Sequence, residues 1–188
     1  MTGRAYFRIF SRLLHWMALS FSLLPRFFCE LLWGASNVLP GYLGIGLRYS
    51  LAKRLACEVG DNVFFGPSVT VRGWRALRIG NNVSIHRDCY LDASGGISIG
   101  SDVAIAHGCS VISFNHTWAD SALPIKSNPL RHNPVRIDND VWLGCGVRVL
   151  AGAQISCRTI VGAGSVVTGI FTGKEILAGI PARRIKEI

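Results

Sequence analysis

The sequence predicts an all-β solenoid: a parallel β-helix of about five coils, preceded by an amphipathic helical leader and interrupted by one extended loop. Three observations carry that reading. Apolar residues recur every six positions, the recurrence is broken once by a long excess of residues, and the first part of the chain follows a helical period instead.

Fifteen residues hold the six-residue cadence in five groups of three: Val59, Phe65, Val71; Ile79, Ile85, Leu91; Ile99, Ile105, Val111; Ile137, Leu143, Val149; Ile155, Val161, Val167. Each group reads as one 18-residue coil whose three short strands turn one apolar side chain inward. The next position is often small (Gly60, Gly66, Gly80, Gly100, Ala106, Gly144, Gly162), and the fifth is small or β-branched (Val63, Val83, Val103, Val147, Ala153, Ser165). Chance spacing in a Val-rich and Gly-rich β domain would not keep fifteen hits in register.

A solenoid cannot absorb extra residues in its strands, so insertions must leave at corners. Two residues are added between Val71 and Ile79 and two between Leu91 and Ile99, which predicts a bulge at one corner. Between Val111 and Ile137 the excess is about twenty residues. The segment 115–134, with Pro124, Pro129, Pro134, His116 and His132, is expected to leave the coil as a long loop, and loops of that length are usually functional or disordered.

The chain therefore divides into a leader, 1–57, and a β-helix domain, 58–188, with loop 115–134 and a C-terminal cap, 170–188. Its 188 residues, 49% apolar, suffice for one core. Of the net charge of +9, residues 1–56 carry +6, with Glu30 their single acid. On a helical wheel, Arg4, Arg8, Ser11, Arg12, His15, Ser22, Arg26 and Glu30 fall within an arc of roughly 100°, and Phe7, Phe10, Leu13, Leu14, Met17, Phe21, Leu24, Phe28 and Leu31 cover much of the rest. This pattern predicts a helix lying at a membrane surface, Arg heads toward anionic lipid and Trp16 and Trp33 near headgroup depth. A secretory signal and a helix packed on the protein's own oligomer are the alternatives. No small-x-small cleavage site follows the apolar run, which is also shorter than the roughly 20 residues a spanning helix needs. Pro25 is expected to kink or end the first helix, and a second amphipathic piece spans about 44–56.

The six cysteines, Cys29, Cys57, Cys89, Cys109, Cys145 and Cys157, show no CxxC pair and read as reduced core residues of a cytosolic protein. No metal is expected, because His86, His107, His116 and His132 lack the spacing of a zinc β-helix enzyme such as a γ-type carbonic anhydrase. Nucleic acid is not an expected partner, since the basic residues concentrate in an apolar leader without a reading motif.

His116 stands where the third coil gives way to the loop, a place that suits a general base and equally a plain surface histidine. Asp92, in the coil below, is close enough along the stack to orient or charge-balance an imidazole, at roughly 4.8 Å per coil.

The segments 137–144 (IDNDVWLG), 161–168 (VGAGSVVT) and 178–185 (AGIPARRI), together with the repeat and the histidine-bearing loop, resemble the hexapeptide-repeat acyltransferases. The resemblance covers about 58–188 and points to the branch of galactoside, maltose and related sugar O-acetyltransferases. It implies a left-handed β-helix, a homotrimer, and active sites between neighbouring subunits. It also implies acetyl-CoA as co-substrate, with His116 as the base that takes a proton from the acceptor hydroxyl. Trp142 then matches the tryptophan beside the acyl end, and Cys145 supplies a backbone N–H to the thioester carbonyl rather than a nucleophile. Ala163, Thr168 and Gly169 match positions along the pantetheine arm, and Arg183 and Lys186, helped by Arg184, match positions near the nucleotide phosphates. Gly169 replaces a common lysine and Asp92 an asparagine, which leaves the donor intact and bears on the acceptor. The expected function is O-acetylation of a sugar hydroxyl in surface polysaccharide or lipid-linked saccharide synthesis, at the cytoplasmic face of the membrane. The alternatives are a xenobiotic or serine acetyltransferase-like enzyme, or a non-catalytic β-helix scaffold.

Overall fold

From Glu58 onward the chain lays down short strands in a three-way cycle, each hydrogen-bonded in parallel to its counterpart one coil earlier. The structure is a computed structural model and describes residues 3–188. The first sheet stacks Glu58–Val59, Leu77–Ile79, Ile97–Ile99, Val135–Ile137, Gln154–Ile155 and Ile170–Phe171. The second runs from Phe64–Phe65 through Ser84–Ile85, Ala104–Ile105, Val141–Leu143 and Thr159–Val161 to Glu175–Gly179, where Ala182–Glu187 turns back antiparallel. The third holds Thr70–Arg72, Tyr90–Asp92, Ser110–Ile112, Arg148–Val149 and Val166–Val167.

The six-residue cadence becomes the register of these sheets. Val59, Ile79, Ile99, Ile137 and Ile155 align as one column, as do the members of the other two. All the cadence residues are buried except Val71, which is half-buried in the first coil. Each buried aliphatic side chain contributes about 1.5–3 kcal/mol, so these columns dominate the stability of the stack.

A sixth, partial coil extends the five that the cadence predicts. Phe171 aligns with Ile155 and Leu177 with Val161, in inward positions. Phe171 follows Ile155 by 16 residues instead of 18, so a shortened corner hides this coil from the periodicity.

The corners repeat as regularly as the core. Between the first and second sheets every coil turns through a left-handed residue at φ 54–58°: Asn62, Asn82, Asp102, Asp140, Arg158 and Lys174. Asn and Asp tolerate that conformation because their short side chains bond locally. Arg158 and Lys174 have no such compensation.

Three helices precede the stack: α1 (Gly3–Ser22), α2 (Arg26–Ala35) and α3 (Gly41–Leu55). The chain breaks around Pro25, which sits in extended backbone before α2. Helix α3 lies across the first coil and closes the core with Leu51, Ala52 and Leu55, all fully buried. Its Arg48 is buried too, donating from Nε to the Phe65 carbonyl (2.8 Å) and from Nη1 to the Ser36 carbonyl (2.9 Å). Trp33 of α2 donates from Nε1 to the Val69 carbonyl (3.0 Å) and meets Phe65 and Trp74 edge-on at 5.3 and 4.8 Å.

Helix α1 rides on α3 through a stripe seven residues apart, Phe7, Leu14 and Phe21. The opposite side leaves Ile9, Phe10, Leu13, Trp16, Leu19 and Leu23 exposed. The polar stripe does not turn wholly outward as the wheel suggests. His15 approaches Asp61 at 3.4 Å, and Arg26 bonds Glu30 and the Leu55 carbonyl. Arg54 donates to the carbonyls of Phe21 and Leu24, tying α3 to the chain at the end of α1. Among the described residues no helix is long and apolar enough to cross a membrane.

All six cysteines are free, and only Cys29, Cys89 and Cys109 are core residues. Cys57, Cys145 and Cys157 are exposed because they sit at or beside corners, where side chains alternate out of the coil.

Candidate active site

The excess between the third and fourth coils folds into an antiparallel hairpin, Phe114–His116 against Leu130–His132, projecting from the corner between the third and first sheets. Its tip is organised by Asn128, which is buried. Asn128 Oδ1 accepts from the Asp120 amide (3.0 Å), and Nδ2 donates to the carbonyls of Asp120, Leu123 and Pro124 (3.2 Å each). His116 is exposed on the first hairpin strand, opposite Leu130, with its ring 6.3 Å from that of Phe114.

Asp92 lies at the same corner one coil earlier and is buried. Its Oδ2 accepts from the Tyr90 hydroxyl (3.1 Å), and its Oδ1 accepts from the Ser94 amide and hydroxyl. Burial and then Asp92 itself push the Tyr90 hydroxyl above the ordinary tyrosine range, so it stays a proton donor to the carboxylate. The structure does not bring the side chains of Asp92 and His116 into hydrogen-bond contact; the two are joined through backbone, by way of Ser113.

The remaining candidates fall on separate sides of the prism. Thr168 and Gly169 share the hairpin's corner, in the fifth coil. Cys145 and Ala163 occupy the corner between the second and third sheets, stacked so that the Gly164 amide donates to the Cys145 carbonyl (2.9 Å). Trp142 stands half-exposed on the outer face of the second sheet, aligned with Ala104 and Ile160. It lines a cavity of about 360 Å³ with Asp102, Asp140, Arg158 and the terminal Ile188. Arg183 and Lys186 are exposed on the return strand; Arg183 Nη1 bonds the Ala182 carbonyl, and Arg184 pairs with Glu187 at 3.0 Å.

In a three-sided coil the corner between the third and first sheets is opposite the second sheet. One chain thus presents His116 and Trp142 to opposite sides. Among the described residues no group of three or more His, Cys, Asp or Glu could hold a metal ion.

No family model matches the chain. Curated relatives do. The chain is 31% identical over 147 residues to the galactoside O-acetyltransferase of Escherichia coli K12, covering 75% of this chain and 68% of that one. The chain belongs to the hexapeptide-repeat acetyltransferases. This family member is also 35% identical over 147 residues to a probable acetyltransferase of Mycobacterium tuberculosis, across 77% of its own length and 49% of the relative's. The acetyltransferase described here thus spans about half the length of that relative. It is 32% identical over 114 residues to a putative lipopolysaccharide biosynthesis O-acetyltransferase of E. coli K12, covering 57% of this chain and 58% of the relative. Among solved structures, a galactoside acetyltransferase in complex with coenzyme A superposes with a TM-score of 0.76 at 26% identity, over 86% of this chain and 80% of that one. The acetyltransferase fold is accordingly the left-handed parallel β-helix.

Reading the sequence of this acetyltransferase alone passes over Tyr90 and Ser94, which hold Asp92, and over Arg72, Trp74 and Arg75. Ser94 and the Arg72, Trp74 and Arg75 group lie in the two-residue excesses after Leu91 and Val71, the signal by which they could have been found; Tyr90 precedes Leu91 and carries no such signal.

Proposed function

We propose that this protein transfers an acetyl group from acetyl-CoA to a hydroxyl of a saccharide, in the synthesis of surface polysaccharide or lipid-linked saccharide. The observation that carries the reading is the placement of His116. It is an exposed imidazole on a braced hairpin at a coil edge, in a chain of a family whose E. coli member is a galactoside O-acetyltransferase. The acceptor oxygen attacks the thioester carbonyl as its proton passes to the imidazole. The carbon–sulfur bond then breaks, and the proton passes on to the leaving thiolate. The Cys145 amide is the donor for the developing oxyanion, and no covalent enzyme intermediate is formed. Trp142 flanks the acyl end, Ala163, Thr168 and Gly169 follow the pantetheine arm, and Arg183 and Lys186 meet the phosphates.

His116 and Trp142 face opposite sides of one chain, so the reading requires the hairpin edge of one copy beside the second sheet of another. A closed ring of three such contacts is the proposed homotrimer. The exposed stripe of α1 and α2, with Phe10, Leu13, Trp16, Phe27 and Leu31, supports peripheral attachment at the cytoplasmic face of the membrane.

Thiol release from acetyl-CoA, followed with free, nucleotide-linked and lipid-linked sugars, tests the reading. Acceptor-dependent release lost in His116→Ala is the expected result; release insensitive to that substitution would overturn the mechanism.

A further inference from the structure

The cavity of about 520 Å³ between α2 and the first coil has an aromatic floor and a cationic rim. Trp33 and Trp74, both buried and packed edge-on at 4.8 Å, close its base. Arg26, Arg72 and Arg75 line it, against one carboxylate, Glu30. That carboxylate is 3.3 Å from Arg26. Arg72 and Arg75 are exposed, and among the described residues neither has an acidic partner within ion-pair distance. Two guanidinium groups without a carboxylate partner therefore face the same space, Arg72 also lying near the Tyr90 hydroxyl.

Their arrangement follows from the insertion after Val71. Gly73 turns the chain at φ 69°, a conformation a side chain disfavours, and a Cβ there would press on the backbone of Ala93 in the next coil. The turn that follows buries Trp74 and leaves Arg72 and Arg75 outward on either side of it. Arg72 aligns with Asp92 across the third sheet. Asp92 is the corner to which the His116 hairpin is fastened. The cationic rim therefore lies on the edge from which the His116 hairpin leaves the stack, Arg72 standing two coils before Ile112 in the same sheet.

We propose that this cavity binds the phosphate of a glycosyl phosphate or diphosphate acceptor, Arg72 and Arg75 clamping the phosphoryl oxygens while a sugar hydroxyl reaches His116. Guanidinium forks suit this chemistry, because they bind phosphate by paired charge-assisted hydrogen bonds. The inference rests on the acetyl-transfer reading and narrows its acceptor to an anionic one. Phe27, Phe28 and Leu31 of α2 are exposed on the helix that walls the cavity, so a polyprenyl-linked and a nucleotide-linked sugar are the two sources of the same group.

The experiment measures kcat/KM of the full chain for a polyprenyl-diphosphate hexose, a nucleoside-diphosphate hexose and the neutral methyl hexoside, in wild type and in Arg72→Gln/Arg75→Gln. Separately, binding of the same diphosphates to His116→Ala, with and without Arg72→Gln/Arg75→Gln, is measured by calorimetry, with acetyl-CoA binding as the control for folding. Roughly 10- to 100-fold loss of kcat/KM on the diphosphates alone is expected, with the methyl hexoside unaffected and acetyl-CoA binding retained. Preference for the polyprenyl over the nucleotide substrate, or the reverse, names the source. Equal losses on neutral and phosphorylated acceptors, or diphosphate binding indifferent to the two arginines, would overturn the site and leave acetyl transfer standing. Arginine-dependent diphosphate binding without any acetyl transfer would overturn the transfer reading and leave the phosphate site.

Discussion

Ser113 fastens two coils at one point: its hydroxyl donates to the carbonyl of Asp92 at 2.7 Å, and its amide donates to the same oxygen at 3.0 Å. The Gly95 amide returns a bond to the Ser113 hydroxyl at 2.8 Å, and the Ser113 carbonyl accepts from Asn133 at 2.9 Å. Both ends of the His116 hairpin are thus tied to the corner that carries Asp92.

Ser113→Ala removes two of these bonds and leaves the Gly95 amide without its partner. A loss of about 1–3 kcal/mol in chemical denaturation is expected, with a fall in kcat that exceeds any change in KM for acetyl-CoA. Gly95→Ala is expected to be worse, because its Cβ would run into the Ser113 carbonyl, which is backbone and cannot rotate away.

Arg48 is the buried link between α3, α2 and the first coil. Replacing it with Leu removes the guanidinium bond to the Phe65 carbonyl and leaves the Ser36 carbonyl with the Leu39 amide alone. The expected cost is about 2–4 kcal/mol, read as earlier unfolding and as new proteolytic cuts in the leader.

Tyr49 titrates at alkaline pH. Burial, then the nearby Asp61, push its hydroxyl above the ordinary value of 10, so the folded state holds a proton that the unfolded chain releases first. Stability is unaffected below pH 10 and falls as pH rises from there toward the folded-state value. Alkaline unfolding followed by tyrosinate absorbance should shift upward in Tyr49→Phe.

Lys174 occupies a left-handed corner at φ 55° that its long side chain does not favour. Lys174→Asn should raise stability by about 0.5–1 kcal/mol, read as a higher Tm. No change would show that the corner's strain is already relieved.

The exposed stripe on α1 separates folding from attachment. Phe10→Ser with Leu13→Ser should leave Tm nearly unchanged, since both side chains already face solvent, while reducing co-flotation with anionic vesicles several-fold. Undiminished flotation would sink the role of this stripe.

The solenoid was legible because its residues obey one period. Val59 to Val167 could be placed in three columns by counting, and the hairpin announced itself as an interruption of that count. The sixth coil was not, because Phe171 comes two residues early. In the leader the wheel separated polar from apolar residues. It could not divide the apolar side into Phe7, Leu14 and Phe21, which meet α3, and Phe10, Leu13 and Trp16, which do not. That division depends on a partner helix the local pattern does not encode. The environment of Asp92 was hidden for a related reason: Tyr90 and Ser94 are its sequence neighbours, yet only a bent corner turns both onto one carboxylate.

Helix α3 over the first coil and the antiparallel strand Ala182–Glu187 at the other end have a colloidal meaning. A stack of parallel strands is a template at both extremities, offering amides and carbonyls that another copy could continue into a fibre. Helix α3 presents no strand edge, and Ala182–Glu187 runs antiparallel to the second sheet, so an incoming coil meets no parallel edge at either element. Polymerisation along the axis is thereby discouraged.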